Sequence, residues 1–144
     1  MKYTETPGDL FRVDPSYTLA HCISADCRMN AGIARVFNSR YPGMKTYCMS
    51  SAPQVGTAIY YSPPNQNPPV FNLVTKRAYF MKPSYESVKK SLEDMKEKCQ
   101  ENSIKRIAMP RIGAGLDKLE WPKVRAIIRH TFNDTDIEIC VKGG

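Results

Sequence analysis

The organisation of this chain is clearest in one stretch, Arg106-Ile-Ala-Met-Pro-Arg-Ile-Gly-Ala-Gly-Leu-Asp117. It opens with a short apolar run, long enough for a buried strand, that is broken at Pro110. The turn Gly113-Ala-Gly115 follows, and a segment with helical spacing begins near Trp121. A strand that leads through a glycine-rich turn into a helix brings backbone amides up to a phosphate. Most glycine pairs are ordinary turns, so the hypothesis of a phosphate-binding turn, with Asp117 over the same ligand, needs a second feature.

A second segment of the same kind lies upstream. The run Thr18-Leu-Ala-His-Cys-Ile-Ser24 is compact and apolar, as in a buried strand. It leads into Arg28-Met-Asn-Ala-Gly-Ile-Ala34, a turn of small residues that opens a short helix with Ile33, Val36 and Phe37 on its inner face. We therefore predict that the turns at 28–34 and 111–117 hold one pyrophosphate between them.

Strands and helices alternate along the rest of the chain. We predict strands at 3–4, 10–13, 18–24, 57–61, 70–75, 104–110 and 137–141, and helices at 84–100 and 120–132. Residues 44–56 form no defined element, and the proline-rich residues 62–69 form a loop. Such alternation predicts an α/β domain over residues 1–144, with a mixed, largely parallel central sheet and helices on both faces.

Three candidate segments converge at one edge of this predicted sheet. Ligands of open α/β sheets lie at the carboxyl ends of the strands. Lys76 directly follows the strand at 70–75, and both glycine-containing turns follow strands in the same way. A lone lysine is most often a solvated surface residue, but a lysine at the end of a buried strand is a candidate for chemistry.

Composition restricts the class of protein. The chain has 144 residues, a hydrophobic fraction of 42% and a formal net charge of +7, which favours an anionic ligand or partner. No apolar run approaches the ~20 residues of a membrane span, and the N-terminus carries no secretory signal. The five cysteines show no metal-binding spacing with either histidine. We expect an intracellular protein of the cytoplasm and/or nucleus, monomeric, with reduced thiols, no metal, no cofactor and no membrane contact.

The motifs taken together resemble those of a known family. Gly8-Asp-Leu-Phe11, Ala20-His-Cys-Ile-Ser24, Asp26-Cys-Arg-Met-Asn-Ala-Gly-Ile-Ala34, Thr75-Lys-Arg77 and Met109-Pro-Arg-Ile-Gly-Ala-Gly-Leu-Asp117 look like a macrodomain. Within that superfamily they are most similar to the terminal ADP-ribose protein glycohydrolase branch, whose members also deacetylate O-acetyl-ADP-ribose. The resemblance runs from about residue 3 to residue 141 and keeps the order of the motifs.

The resemblance implies a three-layer αβα sandwich that binds ADP-ribose across the top of the sheet. Asp9 would accept the adenine amino group with Leu10 beside it, and His21 and Ser24 would line the floor. The diphosphate and distal ribose would lie between the two turns, whose ligand-binding residues would be Ala31, Gly32, Ile33 and Ala34 on one side and Ile112, Gly113, Ala114, Gly115 and Leu116 on the other.

The resemblance also implies a reaction. Lys76 and Asp117 match the family's catalytic pair, in which the lysine attacks C1″ of the distal ribose and the aspartate helps to release the adduct. An amine must be neutral to attack, and a carboxylate can act as a base toward the ribose hydroxyls or water. We expect a metal-independent hydrolase that removes ADP-ribose from glutamate and aspartate side chains of proteins and deacylates O-acetyl-ADP-ribose. The alternatives are a non-catalytic ADP-ribose reader and a hydrolase of ADP-ribosylated nucleic acid, which the positive charge would suit.

Overall fold

A six-stranded sheet lies between two layers of helices in the computed structural model, which describes residues 1–143. The strands are β1 (Lys2–Thr6), β2 (Thr18–Ser24), β3 (Thr57–Tyr61), β4 (Val70–Lys76), β5 (Arg106–Met109) and β6 (Glu138–Lys142). The helices are α1 (Gly32–Arg40), α2 (Met44–Ser50), α3 (Tyr85–Glu101) and α4 (Trp121–Phe132). Gly144, the last residue of the predicted domain, lies outside the described residues.

The sheet is mixed and largely parallel, as predicted. Its strand order is β1-β6-β5-β2-β4-β3, and only the β3–β4 pair is antiparallel. The central strands β2, β4 and β5 are parallel neighbours, so their carboxyl ends meet at one edge of the sheet. Helices pack on both faces of this sheet, so the three-layer αβα sandwich that the resemblance implies is confirmed.

The central strands are apolar on both faces because helices cover both faces. Six of the seven residues of β4 are buried, and only its last residue, Lys76, is partly exposed. Phe71 and Leu73 belong to the core beneath α3 and α4, whereas Val70 and Val74 belong to the core beneath α1 and α2. The side chains thus alternate between two cores, as the two-residue period of a strand requires.

The start of α3 is attached to the end of β4. Ser84 caps the helix by accepting a hydrogen bond from the Ser87 amide at 3.0 Å, and the Ser87 hydroxyl donates to the Thr75 carbonyl at 2.6 Å. Val88, Leu92, Met95 and Cys99 are fully buried along one stripe of the helix, as predicted. Because Thr75 precedes Lys76, this contact fixes the backbone that carries the lysine.

One predicted strand is wrong, and one helix was not predicted. Leu10–Arg12 forms a 3₁₀ helix, not a strand, because the Asp9 carboxylate accepts a hydrogen bond from the Phe11 amide at 2.9 Å and so favours a turn. The segment at 44–56, for which no element was predicted, contains α2 with Met44 and Cys48 fully buried. This helix is seven residues long and therefore too short for its apolar period to stand out in the sequence.

The inner face predicted for α1 also needs correction, because Phe37 is fully buried but Val36 is 41% exposed.

All five cysteines are free thiols. Among the helices described within residues 1–143, none has the length and apolar character needed to cross a membrane.

Candidate active site

A cleft of about 580 Å³ lies at the carboxyl ends of β2, β4 and β5. Its walls are the turn that follows β2, the turn that follows β5 and the segment that follows β4. Of the residues predicted to bind or react with ADP-ribose, those that line this cleft are Ser24, Ala31, Gly32, Ile33, Ala34, Lys76, Ile112, Gly113, Gly115, Leu116 and Asp117. The convergence of the three segments arises because parallel strands end at one edge.

Lys76 and Asp117 form an ion pair inside this cleft. The Lys76 Nζ atom donates to Asp117 Oδ1 at 2.7 Å, and the two side chains are only 16% and 17% exposed. Each group is delivered by backbone that other contacts hold in place, since Lys76 ends β4 and Asp117 ends the glycine turn after β5. An amine and a carboxylate in direct contact can exchange a proton, which is what an amine nucleophile and its base require.

The turn after β5 has a conformation that depends on glycine. Gly113 has φ +73°, and its carbonyl accepts a hydrogen bond from the Leu119 amide at 2.7 Å. A Cβ atom at Gly113 would lie 3.0 Å from Leu119 Cδ1, whereas one at Gly115 would meet no atom within 4 Å. Gly113 therefore closes the turn, and Gly115 presents open backbone to the cleft.

The two glycine-containing turns approach each other across the cleft. Gly32 has φ +59°, and a Cβ atom there would lie 3.2 Å from Leu116 Cδ1. Leu116 is 68% exposed, so its side chain reaches out over the opening. The close approach leaves a narrow passage between backbone segments, a shape suited to an extended anionic group.

Asp26 connects the loop after β2 with the segment after β4. Its carboxylate accepts hydrogen bonds from the Ser24 hydroxyl, from the Tyr79 amide at 2.9 Å and from the Arg28 amide at 3.4 Å. Burial opposes the charged form, but these hydrogen bonds hold the pKa of Asp26 below its ordinary value. The sequence indicates only a polar residue after a strand, because the partner Tyr79 is remote in the chain.

Aromatic residues form one rim of the cleft. Tyr79, Phe80, Met81 and Lys82 all line it, and Phe80 is 75% exposed. The Arg28 guanidinium lies 4.4 Å from the centre of the Tyr79 ring, and the rings of Tyr79 and Phe80 meet edge to face at 5.5 Å. From the sequence, Tyr79 and Phe80 are expected mainly to pack, with either of them a possible neighbour of the distal ribose, and Met81 and Lys82 were not predicted at the site. Three consecutive large apolar side chains in a loop are nevertheless a detectable signal.

With this geometry established, comparisons with known proteins decide the family. The family model described as "Macro domain" matches residues 20–128. The chain belongs to the macrodomain family. A relative, the human protein named ADP-ribose glycohydrolase OARD1, is 40% identical over 140 residues, which are 97% of this chain and 90% of that protein.

Two further similarities are informative. The DNA ADP-ribosyl glycohydrolase of Thermus aquaticus is 29% identical to this macrodomain over 134 residues, which are 88% of this chain and 37% of that protein. The solved macrodomain of Mycobacterium tuberculosis DarG superposes with a TM-score of 0.89 at 23% identity, covering 97% of this chain and 96% of that one. At that identity the structural likeness establishes the fold alone.

Four predicted ligand contacts lie outside the lining of the cleft in this macrodomain. Asp9 is exposed and its carboxylate caps the 3₁₀ helix, while Leu10 is buried in the core beneath α1 and α2. Ala114 is partly buried and packs against the core on the α4 side of the sheet. His21, the fourth, lies behind the floor. The predicted adenine contacts of Asp9 and Leu10 stay predictions, since the described cleft surrounds Lys76 and the two turns.

His21 is fully buried, stacked on Phe37 with ring centres 3.9 Å apart. The Asn72 amide donates to the Ile59 carbonyl at 3.3 Å, so its Oδ1 accepts from His21 Nε2 at 2.7 Å. Burial lowers the pKa of His21 to about 4, against the opposing effect of the Asn72 hydrogen bond. His21 is therefore a neutral histidine of the core that supports the floor of the cleft from behind.

Cys22 lines the floor of the cleft and was not predicted there. Burial, with a further contribution from the nearby Asp117 carboxylate, raises the pKa of the Cys22 thiol to about 12. The thiol stays protonated near neutral pH and is therefore a poor nucleophile. Within residues 1–143, no three His, Cys, Asp or Glu side chains come together in a group that could hold a metal ion.

Proposed function

We propose that this macrodomain hydrolyses ADP-ribosyl esters, removing ADP-ribose from glutamate and aspartate side chains of proteins and deacylating O-acetyl-ADP-ribose. The observation that carries the proposal is the Lys76–Asp117 contact of 2.7 Å inside a cleft walled by two glycine-containing turns. The name of the human relative, an ADP-ribose glycohydrolase, supports the same ligand and reaction type.

The proposed reaction proceeds in two steps. The Lys76 Nζ lone pair forms a bond to C1″ of the distal ribose, the C1″–O ester bond breaks, and its electron pair leaves with the carboxylate. The lysine is then bonded to C1″ as a secondary ammonium. In the second step a water oxygen attacks C1″ while Asp117 takes a proton from that water. The C1″–Nζ bond breaks, its electron pair returns to the lysine, free ADP-ribose is released, and Asp117 gives its proton to solvent. The contribution of each group follows from its type: an amine nucleophile and a carboxylate base.

Two alternatives are distinguishable from this proposal. A non-catalytic ADP-ribose reader would need the two turns but neither Lys76 nor Asp117. A hydrolase of ADP-ribosylated nucleic acid would use the same cleft; it is favoured by the net charge of +7 and by the name of the Thermus aquaticus relative, a DNA ADP-ribosyl glycohydrolase.

Substitutions that separate the proposed role of Lys76 from that of Asp117 test this mechanism most directly. Lys76→Ala should abolish hydrolysis of a glutamate-linked ADP-ribosyl peptide while ADP-ribose still binds in titration calorimetry. Asp117→Ala should stall after attack, so intact-mass spectrometry should detect one ADP-ribose on the protein, attached at Lys76. The double variant should gain no mass.

A matched control is the Lys96–Asp134 ion pair, which has the same 2.7 Å separation but lies outside the cleft. Lys96→Ala should leave turnover unchanged. Full activity in Lys76→Ala would exclude the covalent scheme, and a wild-type protein that binds ADP-ribose without turning over any ester would support the reader. An Asp117→Ala protein that is inactive and gains no mass would indicate that Asp117 activates water directly.

A further inference from the structure

The aromatic rim, defined as Tyr79, Phe80 and Met81, is a surface that the ester chemistry does not require. Its members are 46%, 75% and 41% exposed. They follow Lys76 within five positions of the chain and line the same cleft. Exposing three large apolar side chains side by side is unfavourable unless they contact something.

The orientation of Tyr79, the first residue of the rim, is fixed by polar contacts. The Tyr79 amide donates to Asp26 at 2.9 Å, and the Arg28 guanidinium covers the Tyr79 ring at 4.4 Å. Phe80 meets Tyr79 edge to face, so its own ring surface is left to solvent. A ring held in place before its partner arrives loses little conformational freedom on binding.

The charges around the rim are positive. Arg28, which covers the Tyr79 ring, and Lys82, which lines the cleft, are exposed, and neither forms a salt bridge with another residue within 1–143. The two nearby carboxylates are engaged, since Asp26 accepts three hydrogen bonds and Asp117 is paired with Lys76. Exposed aromatic rings flanked by unpaired cations are the combination that binds single-stranded nucleic acid, by base stacking and phosphate contacts.

We infer that the aromatic rim binds single-stranded nucleic acid attached to the ADP-ribose, with a base stacked on Phe80 and the backbone near Arg28 and Lys82. This inference rests on the proposed function, because it places the nucleic acid beside an ADP-ribose held in the cleft that the rim lines. An acidic peptide would match the charges but would leave the Phe80 ring without a stacking partner. A terminal phosphate bonded to C1″ is a leaving group comparable to a carboxylate, so the same two-step hydrolysis applies.

The test compares three substrates: a single-stranded oligonucleotide with ADP-ribose on its 5′-terminal phosphate, a glutamate-linked ADP-ribosyl peptide and O-acetyl-ADP-ribose. Loss of one stacked base costs about tenfold. Phe80→Ala should therefore lower kcat/KM for the oligonucleotide about tenfold relative to that for O-acetyl-ADP-ribose. Phe80→Leu should behave like Phe80→Ala, because leucine is apolar but has no ring, and Phe80→Trp should retain turnover.

Binding provides a second readout that does not depend on hydrolysis. Fluorescence anisotropy of a labelled single-stranded oligothymidylate of about ten nucleotides should show weaker binding for Phe80→Ala. Lys82→Gln should reduce the slope of log affinity against log salt by about 0.7. Met49→Ala, which replaces a 57% exposed side chain on α2, is the control and should change neither readout.

Several outcomes would overturn the inference. If Phe80→Ala impairs the peptide and spares the oligonucleotide, the rim binds protein; if it impairs all three substrates equally, Phe80 serves ADP-ribose itself. If Phe80→Ala changes neither kcat/KM for any of the three substrates nor the binding of the oligothymidylate, the rim does not bind nucleic acid. A wild-type protein that hydrolyses none of the substrates would contradict the proposed function, and anisotropy would still decide whether the rim binds nucleic acid.

Discussion

The Asp26 carboxylate connects two segments of the cleft that are far apart in the chain. It joins Ser24, at the end of β2, to Tyr79, which is 53 residues away in sequence. Through Ser24 it orders the floor, and through Tyr79 it orders the segment that follows Lys76. A single carboxylate therefore links the turn after β2 to the segment that follows the proposed nucleophile.

Replacement of Asp26 should accordingly affect turnover more than folding. Asp26→Ala should lower kcat/KM for O-acetyl-ADP-ribose about tenfold, since the lost hydrogen bonds are worth roughly 1 kcal/mol each. The control is Asp14→Ala, because the Asp14 carboxylate makes a similar local contact with the Ser16 amide at 2.8 Å, outside the cleft. Equal turnover in the two variants would contradict the positioning role of Asp26.

At the scale of elements, the turn between β5 and α4 combines two glycines with different tasks. Gly113 has a positive φ and lies against Leu119, so any side chain there strains the turn itself. Gly115 has open space beside it and lines the cleft. Of these two glycines, Gly115 is therefore the one at which a side chain can be added to test whether a phosphate approaches the backbone without disturbing the fold.

Gly115→Val should weaken ADP-ribose binding by at least about tenfold in titration calorimetry, because its methyl groups would occupy space needed for close approach of a phosphate to the backbone. The melting temperature should stay close to that of the wild type. Gly113→Val, in contrast, should lower the melting temperature. A Gly115→Val protein that binds ADP-ribose normally would show that the diphosphate lies elsewhere.

For the whole molecule, protonation of His21 couples stability to pH. The folded pKa of about 4 is below the unfolded value of 6.5, so the unfolded chain binds more protons between these limits. The stabilisation is complete above pH 6.5 and is lost as pH falls toward 4. Because the ring is fully buried and its Nδ1 atom has no partner within residues 1–143, the hydrogen bond to Asn72 offsets only part of the cost of the charge.

Urea unfolding should reveal this coupling. The wild type should lose on the order of 2 kcal/mol of stability between pH 7 and pH 5, at about 1.4 kcal/mol per pH unit below the unfolded pKa. His21→Gln should be less stable at pH 7 and should lose much less between the two pH values. Parallel losses in both proteins would assign the pH dependence to other groups.

The local sequence was sufficient to predict most helices and strands and the edge of the sheet at which Lys76 and Asp117 lie. Apolar runs with a period of two or 3.6 residues specify β2, β4, α3 and α4 because each must bury one side of the chain. Parallel order follows from the alternation of strands and helices, and it brings Lys76 and the Gly113–Asp117 turn to one edge of the sheet. The strand predicted at 10–13 was wrong, because the hydrogen bond from the Phe11 amide to the Asp9 carboxylate favours a turn there over a strand.

Tertiary structure alone decided which polar and aromatic groups meet. His21 and Ser24 belong to the same strand, yet one is enclosed behind Phe37 and the other lines the cleft. The link from Asp26 to Tyr79 joins segments whose separation in the chain leaves no periodic signal. Burial and hydrogen bonding depend on which distant segments pack together, whereas apolar period and glycine conformation are properties of a few consecutive residues.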